Sequence, residues 1–341
     1  MRSFLRFFLI LAVALTLLIA YLPRRYGTPW PEQPGPRFDN AIRSAHTRVI
    51  QERGVKVVLL GDSVLEQGVD ESALSAALDV PAHAIAVPGS TSAFWYLILK
   101  NVILQAEPQP DYVVLLFRDT ILTLPNYHVR GGYINELDQF ATAREDVLQE
   151  RAYVNFMNPL EKAALAYLPL YRNGQQFKER TDGRVRNLIS GVVFSCDADC
   201  IARADATVYH VENLRPEFVH EALAGDEDFL FTREAMDFDA LIEQSFLPEI
   251  IRVARENNVQ LILVNERTQI FPSMDAEPKA LRVYKQKLTE YLQQNNIPLV
   301  DFSYDPRLPK EYFVDILHMN AEGKALFTQL LADALRPLLQ P

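Results

Sequence analysis

Val55 to Asp70 reads VKVVLLGDSVLEQGVD. Its first half, Val57-Val58-Leu59-Leu60, is a run of β-branched and leucine residues without polar alternation. Such a run is expected of a central parallel strand buried on both faces. Gly61 then permits a sharp turn, and the residues after it can enter a helix. Ser63 therefore falls at a strand-to-helix junction. In open α/β sheets ligands bind at that carboxyl edge, where the first helical N–H groups face a developing negative charge. A serine so placed needs only a base to become a nucleophile.

The candidate base lies near the other end, in Phe313-Val314-Asp315-Ile316-Leu317-His318-Met319-Asn320-Ala321-Glu322-Gly323. An Asp three residues before a His can set its carboxylate against one ring nitrogen and leave the other for a serine hydroxyl. The plain alternative is a helix-capping Asp with a half-buried His. Gly-Asp-Ser after an early strand, with Asp-x-x-His-x-Asn-x-x-Gly before the last helix, resembles the SGNH (GDSL-type) hydrolase superfamily. The resemblance implies Ser63 as nucleophile, His318 as base and Asp315 as its orienting partner, with no metal and no cofactor.

Strand and helix patterns alternate around these two motifs. His83 to Gly89 reads as a second strand, Asp111 to Phe117 as a third, Val259 to Val264 as a fourth and Ile297 to Phe302 as a fifth. Helices are expected over 39–53, 92–105, 246–257, 279–295 and 321–338. The expected fold is α/β and flavodoxin-like: a five-stranded parallel sheet of order 2-1-3-4-5 flanked by helices. A long, mostly helical insertion is expected over 122–238, after the third strand, with helices at Leu137 to Gln149 and Pro159 to Tyr167. Within it Tyr167, Tyr171, Phe177 and Tyr209 are open to two readings, core or sugar-stacking.

Two further positions bear on the site. The resemblance makes Gly89 a donor to the oxyanion hole through its backbone N–H; read alone, it is a turn glycine after Pro88. At the end of the third strand the superfamily has Gly-x-Asn-Asp, and this chain has Phe117-Arg118-Asp119-Thr120. Alignment by the strand puts Arg118 or Asp119 near the hole, and of the two only Arg118 can donate to an oxyanion. The alternative is an Arg118–Asp119 surface pair. Glu266 and Arg267, at the end of the fourth strand, either touch substrate or cap the sheet. The remaining histidines, His46, His83, His128, His210 and His220, read as surface or hydrogen-bonding residues.

Residues 1–22 carry Arg2 and Arg6 and then an apolar run from Phe7 to Leu22, which reads as an uncleaved signal anchor or a cleavable signal peptide; the anchor is preferred because Ile19-Ala20-Tyr21-Leu22 offers no small-residue cleavage pattern. Pro23, Pro29, Pro31, Pro34 and Pro36 make 23–38 an extended stalk, and 39–341 is the expected catalytic domain. Cys196 and Cys200, the only cysteines of the chain, suit a local disulfide in an exported protein, with a metal site as the alternative. A net charge of −10 over 341 residues excludes the basic stripe of a nucleic-acid binder.

The serine block, with Gly68 and the Val-Asp-x-x-x-Leu after it, is similar to membrane-anchored SGNH proteins of bacterial envelope pathways such as alginate acetylation and teichoic acid D-alanylation. That likeness implies an extracytoplasmic, single-pass inner-membrane enzyme transferring or removing an O-acyl group, most often acetyl, on a cell-surface polysaccharide. It also implies a multi-spanning membrane O-acyltransferase as partner. Two alternatives stand beside it: a lysophospholipase or lipid esterase of the same fold, and a non-catalytic polysaccharide-binding partner of such an acyltransferase.

Overall fold

The computed structural model describes residues 2–26, 44–130, 133–142, 144–167 and 228–339. Most of the stalk, most of the insertion and both cysteines lie outside the described residues, as do Tyr171, Phe177, Tyr209, His210 and His220. The chain divides into two compact units, Met1–Pro36 with Tyr153–Leu214, and Arg37–Ala152 with Arg215–Pro341.

In the first unit, helix α1 spans Arg2–Tyr26 and runs through the whole apolar stretch. Its described side chains, Phe4, Phe7, Leu9 and Leu17 among them, are exposed. Among the described residues no helix is long and apolar enough to cross a membrane. Several side chains inside the run, Thr16 and Ile19 included, lie outside those described. The expected disulfide, Cys196 with Cys200, lies outside the described residues. A second helix, Pro159–Tyr167, matches its expected bounds.

The second unit is built on strands β1 (Val57–Gly61), β2 (Ala82–Ala86), β3 (Tyr112–Phe117), β4 (Gln260–Asn265) and β5 (Leu299–Asp301). They form one sheet of order β2-β1-β3-β4-β5, all parallel, as expected. Val57 pairs with Ala82 on one side and Tyr112 on the other, which makes the serine strand central. All of β1 and β3 is buried, whereas the edge strands β2 and β5 are only partly so. This is why the interior strands read as unbroken apolar runs.

Helices α2 (Ala45–Arg53), α3 (Ser63–Gly68), α4 (Glu71–Leu78), α5 (Ser92–Asn101), α6 (Leu247–Glu256), α7 (Lys279–Gln294) and α8 (Ala321–Leu335) surround the sheet. Alternate strand residues Val57, Leu59, Val114, Leu116, Ile262 and Val264 share one core with Leu74 of α4 and Phe327, Leu331 and Leu335 of α8. Full burial of such side chains contributes roughly 1.5–3 kcal/mol each. Residues of the opposite parity, Val58, Leu60, Val113 and Leu115, are equally buried and face the other layer.

One expected helix is corrected. Leu137 to Gln149 is not continuous: a helix over Tyr133–Asp138 ends, and a new turn begins at Asp146. The cause is Glu145, which is 1% exposed. Its carboxylate turns inward to accept from Asn101 Nδ2 at 2.8 Å, Lys100 Nζ at 2.7 Å and the Thr142 hydroxyl and N–H. Burial alone would push this acid up, but those donors hold it below the usual carboxylate range.

Candidate active site

Gly61 ends β1 where a side chain has no room, since an added Cβ would lie 2.9 Å from Leu65 Cβ and 3.3 Å from the Leu116 carbonyl oxygen. Asp62 follows in extended conformation and caps α3, its Oδ1 accepting from Val64 N–H at 2.8 Å. Ser63 is the first residue of that helix, so the turn that the sequence implied is present and Asp62 fixes it.

The second motif folds as a closed loop. Phe313 and Met319 form an antiparallel bridge, and Val314 N–H donates to the His318 carbonyl at 2.9 Å. Within it, Asp315 Oδ1 accepts from the backbone N–H groups of Leu317 and His318, both at 2.7 Å. Its Oδ2 lies 2.8 Å from His318 Nδ1. Asn320 closes the loop onto α8, accepting from Gly323 N–H at 2.9 Å while its Nδ2 donates to the Glu311 carbonyl at 2.7 Å. Gln269 N–H, beyond β4, donates to the Ile316 carbonyl at 2.7 Å and holds the loop over the sheet edge.

This loop brings His318 Nε2 to 2.9 Å from Ser63 Oγ. Burial raises the Asp315 carboxyl, but the His318 ring and the two backbone donors outweigh it and hold the acid below its usual range. An ionised carboxylate only accepts, so its partner Nδ1 carries the proton and Nε2 is left to accept from the serine hydroxyl. The helix-cap alternative does not hold: the backbone N–H groups that Asp315 binds, those of Leu317 and His318, lie in the loop, and Asn320 caps α8.

Gly89 sits at φ +71°, third in a turn closed by Ser90 N–H donating to the Val87 carbonyl at 2.9 Å. With Pro88 second, this is the arrangement of a type II turn, which requires positive φ at that place. Ser90 Oγ ties the turn to β1, the strand that leads into Ser63, by donating to the Gly61 carbonyl at 3.1 Å. Neither the Ser63 nor the Gly89 backbone N–H has an acceptor among the described residues.

Arg118 and Asp119 are not a surface pair: they are 6% exposed each. The Arg118 Nε lies 3.5 Å from Asp62 Oδ2, and its NH1 lies 3.5 Å from Asp119 Oδ2. Its guanidinium therefore braces the carboxylate that caps the serine helix. Glu266, 2% exposed, completes this cluster, and neither of its carboxyl oxygens has a hydrogen-bond partner among the described residues. Burial, and then repulsion from Asp62, push its carboxyl well above the usual range, against the opposing pull of Arg118. Arg267 donates to the Ser303 carbonyl at 2.9 Å and lies over the Tyr304 ring, which is sheet-edge packing.

Several neighbours were not legible in the sequence. The turn Asp228–Phe231 crosses the sheet edge: Phe229 stacks on Tyr127 at 5.5 Å, the Leu230 carbonyl accepts from Thr120 Oγ1 at 2.7 Å, and Phe231 packs edge-on against Phe271 at 5.0 Å. His128 lies next to Gly89, its Nδ1 2.8 Å from the glycine carbonyl oxygen. Away from the site, His83 joins His46 at 3.0 Å and Glu71 at 2.9 Å, a hydrogen-bonding role as expected. Among the described residues no group of three or more His, Cys, Asp or Glu side chains could hold a metal ion.

Fold and site together define a doubly wound α/β protein with a Ser–His–Asp constellation at the carboxyl edge of its sheet. No protein-family profile matches the chain, and no curated protein does. Among solved structures it is similar to the acetyl xylan esterase AlAXEase, at 12% identity and TM-score 0.40, covering 84% of this chain and 100% of that one. It is also similar to a mutant of the acetyl-xylooligosaccharide esterase Axe2 from Geobacillus Stearmophilus, at 12% identity and TM-score 0.39, covering 84% and 95%. It is similar too to a GDSL-like lipase from Bacteroides thetaiotaomicron, at 12% identity and TM-score 0.37, covering 87% and 99%. The functional reading rests on the side-chain geometry and takes no weight from likenesses of this size.

Proposed function

We propose that the chain is an SGNH-type serine esterase or O-acyltransferase that works through an acyl-enzyme. The observation that carries this is the continuous relay from Asp315 Oδ2 to His318 Nδ1, at 2.8 Å, and from His318 Nε2 to Ser63 Oγ, at 2.9 Å. Ser63 Oγ attacks the acyl carbon while its proton passes to His318 Nε2. The carbonyl oxygen becomes an oxyanion, and the free N–H groups of Ser63 and Gly89 are the donors for it. Collapse expels the alcohol, which takes the proton from Nε2, and leaves acyl-Ser63. Water or a second hydroxyl then attacks, gives its proton to Nε2, and the departing serine takes that proton back. Water makes the reaction hydrolysis; a sugar hydroxyl makes it transfer.

The substrate in this reading is an O-acylated, most often O-acetylated, cell-surface polysaccharide, reached by an extracytoplasmic domain behind an N-terminal anchor and served by a membrane O-acyltransferase. Supporting it are the apolar run of α1, the likeness of the serine block to envelope acylation proteins, and the aromatic residues beside Gly89. Beyond them Phe229, stacked on Tyr127, is 44% exposed. The test is turnover by the full-length protein of p-nitrophenyl acetate, p-nitrophenyl decanoate and an O-acetylated polysaccharide, with and without an alcohol acceptor. Release of acetate from the polysaccharide and faster turnover of the acetyl ester are expected. Preference for the decanoyl ester would overturn the glycan assignment in favour of a lipid esterase.

A further inference from the structure

We propose that His128 is a positioning residue for the oxyanion-binding turn, holding the Gly89 carbonyl so that the Gly89 N–H stays available to the reacting carbonyl. This rests on the assignment of Gly89 as an oxyanion donor. His128 is 39 residues from Gly89 in the chain, yet its Nδ1 lies 2.8 Å from the Gly89 oxygen. A carbonyl only accepts, so Nδ1 carries the proton and donates it.

The ring cannot swing away. It is stacked between Tyr127, with centroids 3.9 Å apart and planes at 20°, and Tyr133, at 4.2 Å and 12°. Tyr133 also covers the glycine itself, because an added Cβ on Gly89 would fall 2.8 Å from Tyr133 Cε1. Thr91 Oγ1, just beyond the turn, donates to the Tyr127 carbonyl at 3.0 Å and fastens the peptide that precedes His128. Tyr127, His128 and Tyr133 are thus joined to residues 89–91 at three points around one glycine. Its carbonyl and its Cα are engaged, and its N–H has no acceptor among the described residues.

His128 itself has φ +52°, in the left-handed region. For a non-glycine residue that conformation is strained and persists only where the surroundings fix it, commonly at functional sites. Here it is what turns the imidazole back onto Gly89. Because the oxyanion exists only after attack on the carbonyl, a donor held this way acts on the rate and not on substrate binding.

The test compares full-length wild type with H128L and H128N by kcat and KM on p-nitrophenyl acetate, fluorophosphonate labelling rate and thermal unfolding. Leu fills the slot between the tyrosines without donating. Asn carries an N–H donor near the place of Nδ1 and tolerates left-handed backbone. H128L is expected to lose about 100-fold in kcat, the size of one oxyanion donor, with KM within about twofold of wild type. H128N is expected to restore at least about tenfold of that loss. Where H128L does not fold, H128A takes its place in the comparison. A Leu or Ala variant within about threefold of wild type, a rise in KM that matches the fall in rate, or an Asn variant no better than Leu overturns the proposal. Wild-type protein unlabelled at Ser63 would overturn the esterase reading and this one with it; labelled wild type with an unaffected H128L overturns this one alone.

Discussion

Ser63 Oγ and His318 Nε2 lie 2.9 Å apart although 255 positions separate the two residues. The sheet order makes the meeting possible. β1 is central and β5 is at the edge, so the loop after β5 must run back over the carboxyl ends of β4 and β3 to reach the serine. The Gln269 N–H on the Ile316 carbonyl fastens it on the way.

Asp315 is expected to serve both the reaction and the fold, because it holds the imidazole and two backbone N–H groups at once. Asp315→Asn should lower kcat by about 10⁴-fold, as loss of the correct tautomer does in a serine triad. Its carboxyl is depressed in the folded state despite burial, because the His318 ring and two backbone N–H groups donate to it. The stabilisation it gives is therefore present above the ordinary carboxylate range, about pH 4, and lost as pH falls through the lowered value. The Tm advantage of wild type over D315N should shrink steadily below about pH 4; melting curves from pH 2 to 7 check it.

Gly89→Ala places a Cβ against Tyr133 in a residue that needs φ +71°. Turnover of p-nitrophenyl acetate should fall by about 10²–10³-fold if the turn supplies an oxyanion donor. Steady-state kinetics beside a melting curve separates this from simple unfolding.

Glu266 is buried among Asp62 and Arg118, and its carboxyl is raised, first by burial and then by Asp62. Near pH 4 both folded and unfolded chains carry its proton. Above the ordinary range, about 4.3, the unfolded chain releases that proton while the folded chain keeps it, so stability falls as pH rises toward the raised value. Glu266→Gln escapes this loss. Its Tm should exceed that of wild type at pH 8 and converge with it at pH 4; equal Tm differences at both values would contradict the assignment.

Gly323 lies where an added Cβ would meet the Tyr312 carbonyl oxygen and come within 2.9 Å of Tyr312 Cβ. That carbonyl also accepts from Asn320 N–H at 2.9 Å, closing the loop that carries His318. Gly323→Ala should destabilise by about 1–3 kcal/mol, the usual cost of overpacking, and reduce turnover with it. Denaturant melts and p-nitrophenyl acetate turnover read the two effects.

The strands were legible because interior parallel strands bury both faces and leave unbroken apolar runs, as in Val57 to Leu60 and Val113 to Phe117. The two motifs of the candidate site were legible because each is local: Gly61-Asp62-Ser63 is a strand end and a helix cap, and Asp315 to His318 is one turn. What pairs segments across the fold was not. His128 and Gly89 share no local pattern, and only the turn that sets φ +52° at His128 brings them together. Arg118 and Asp119 were open to two readings, neighbours of the oxyanion hole or a surface pair, and the sequence did not show that Arg118 is buried beside Asp62, the cap of the serine helix. The break in the helix expected over Leu137 to Gln149 follows from Glu145 turning toward Asn101, which a charged residue in an amphipathic pattern does not announce.

The most direct measurement is mass-spectrometric mapping of a fluorophosphonate adduct on the full-length protein, repeated with Ser63→Ala and His318→Ala. The expected result is one adduct, on Ser63, absent from S63A and formed at least about 10³-fold more slowly in H318A. An adduct on another residue, or a Ser63 adduct that forms as fast without His318, would contradict the relay between these two residues.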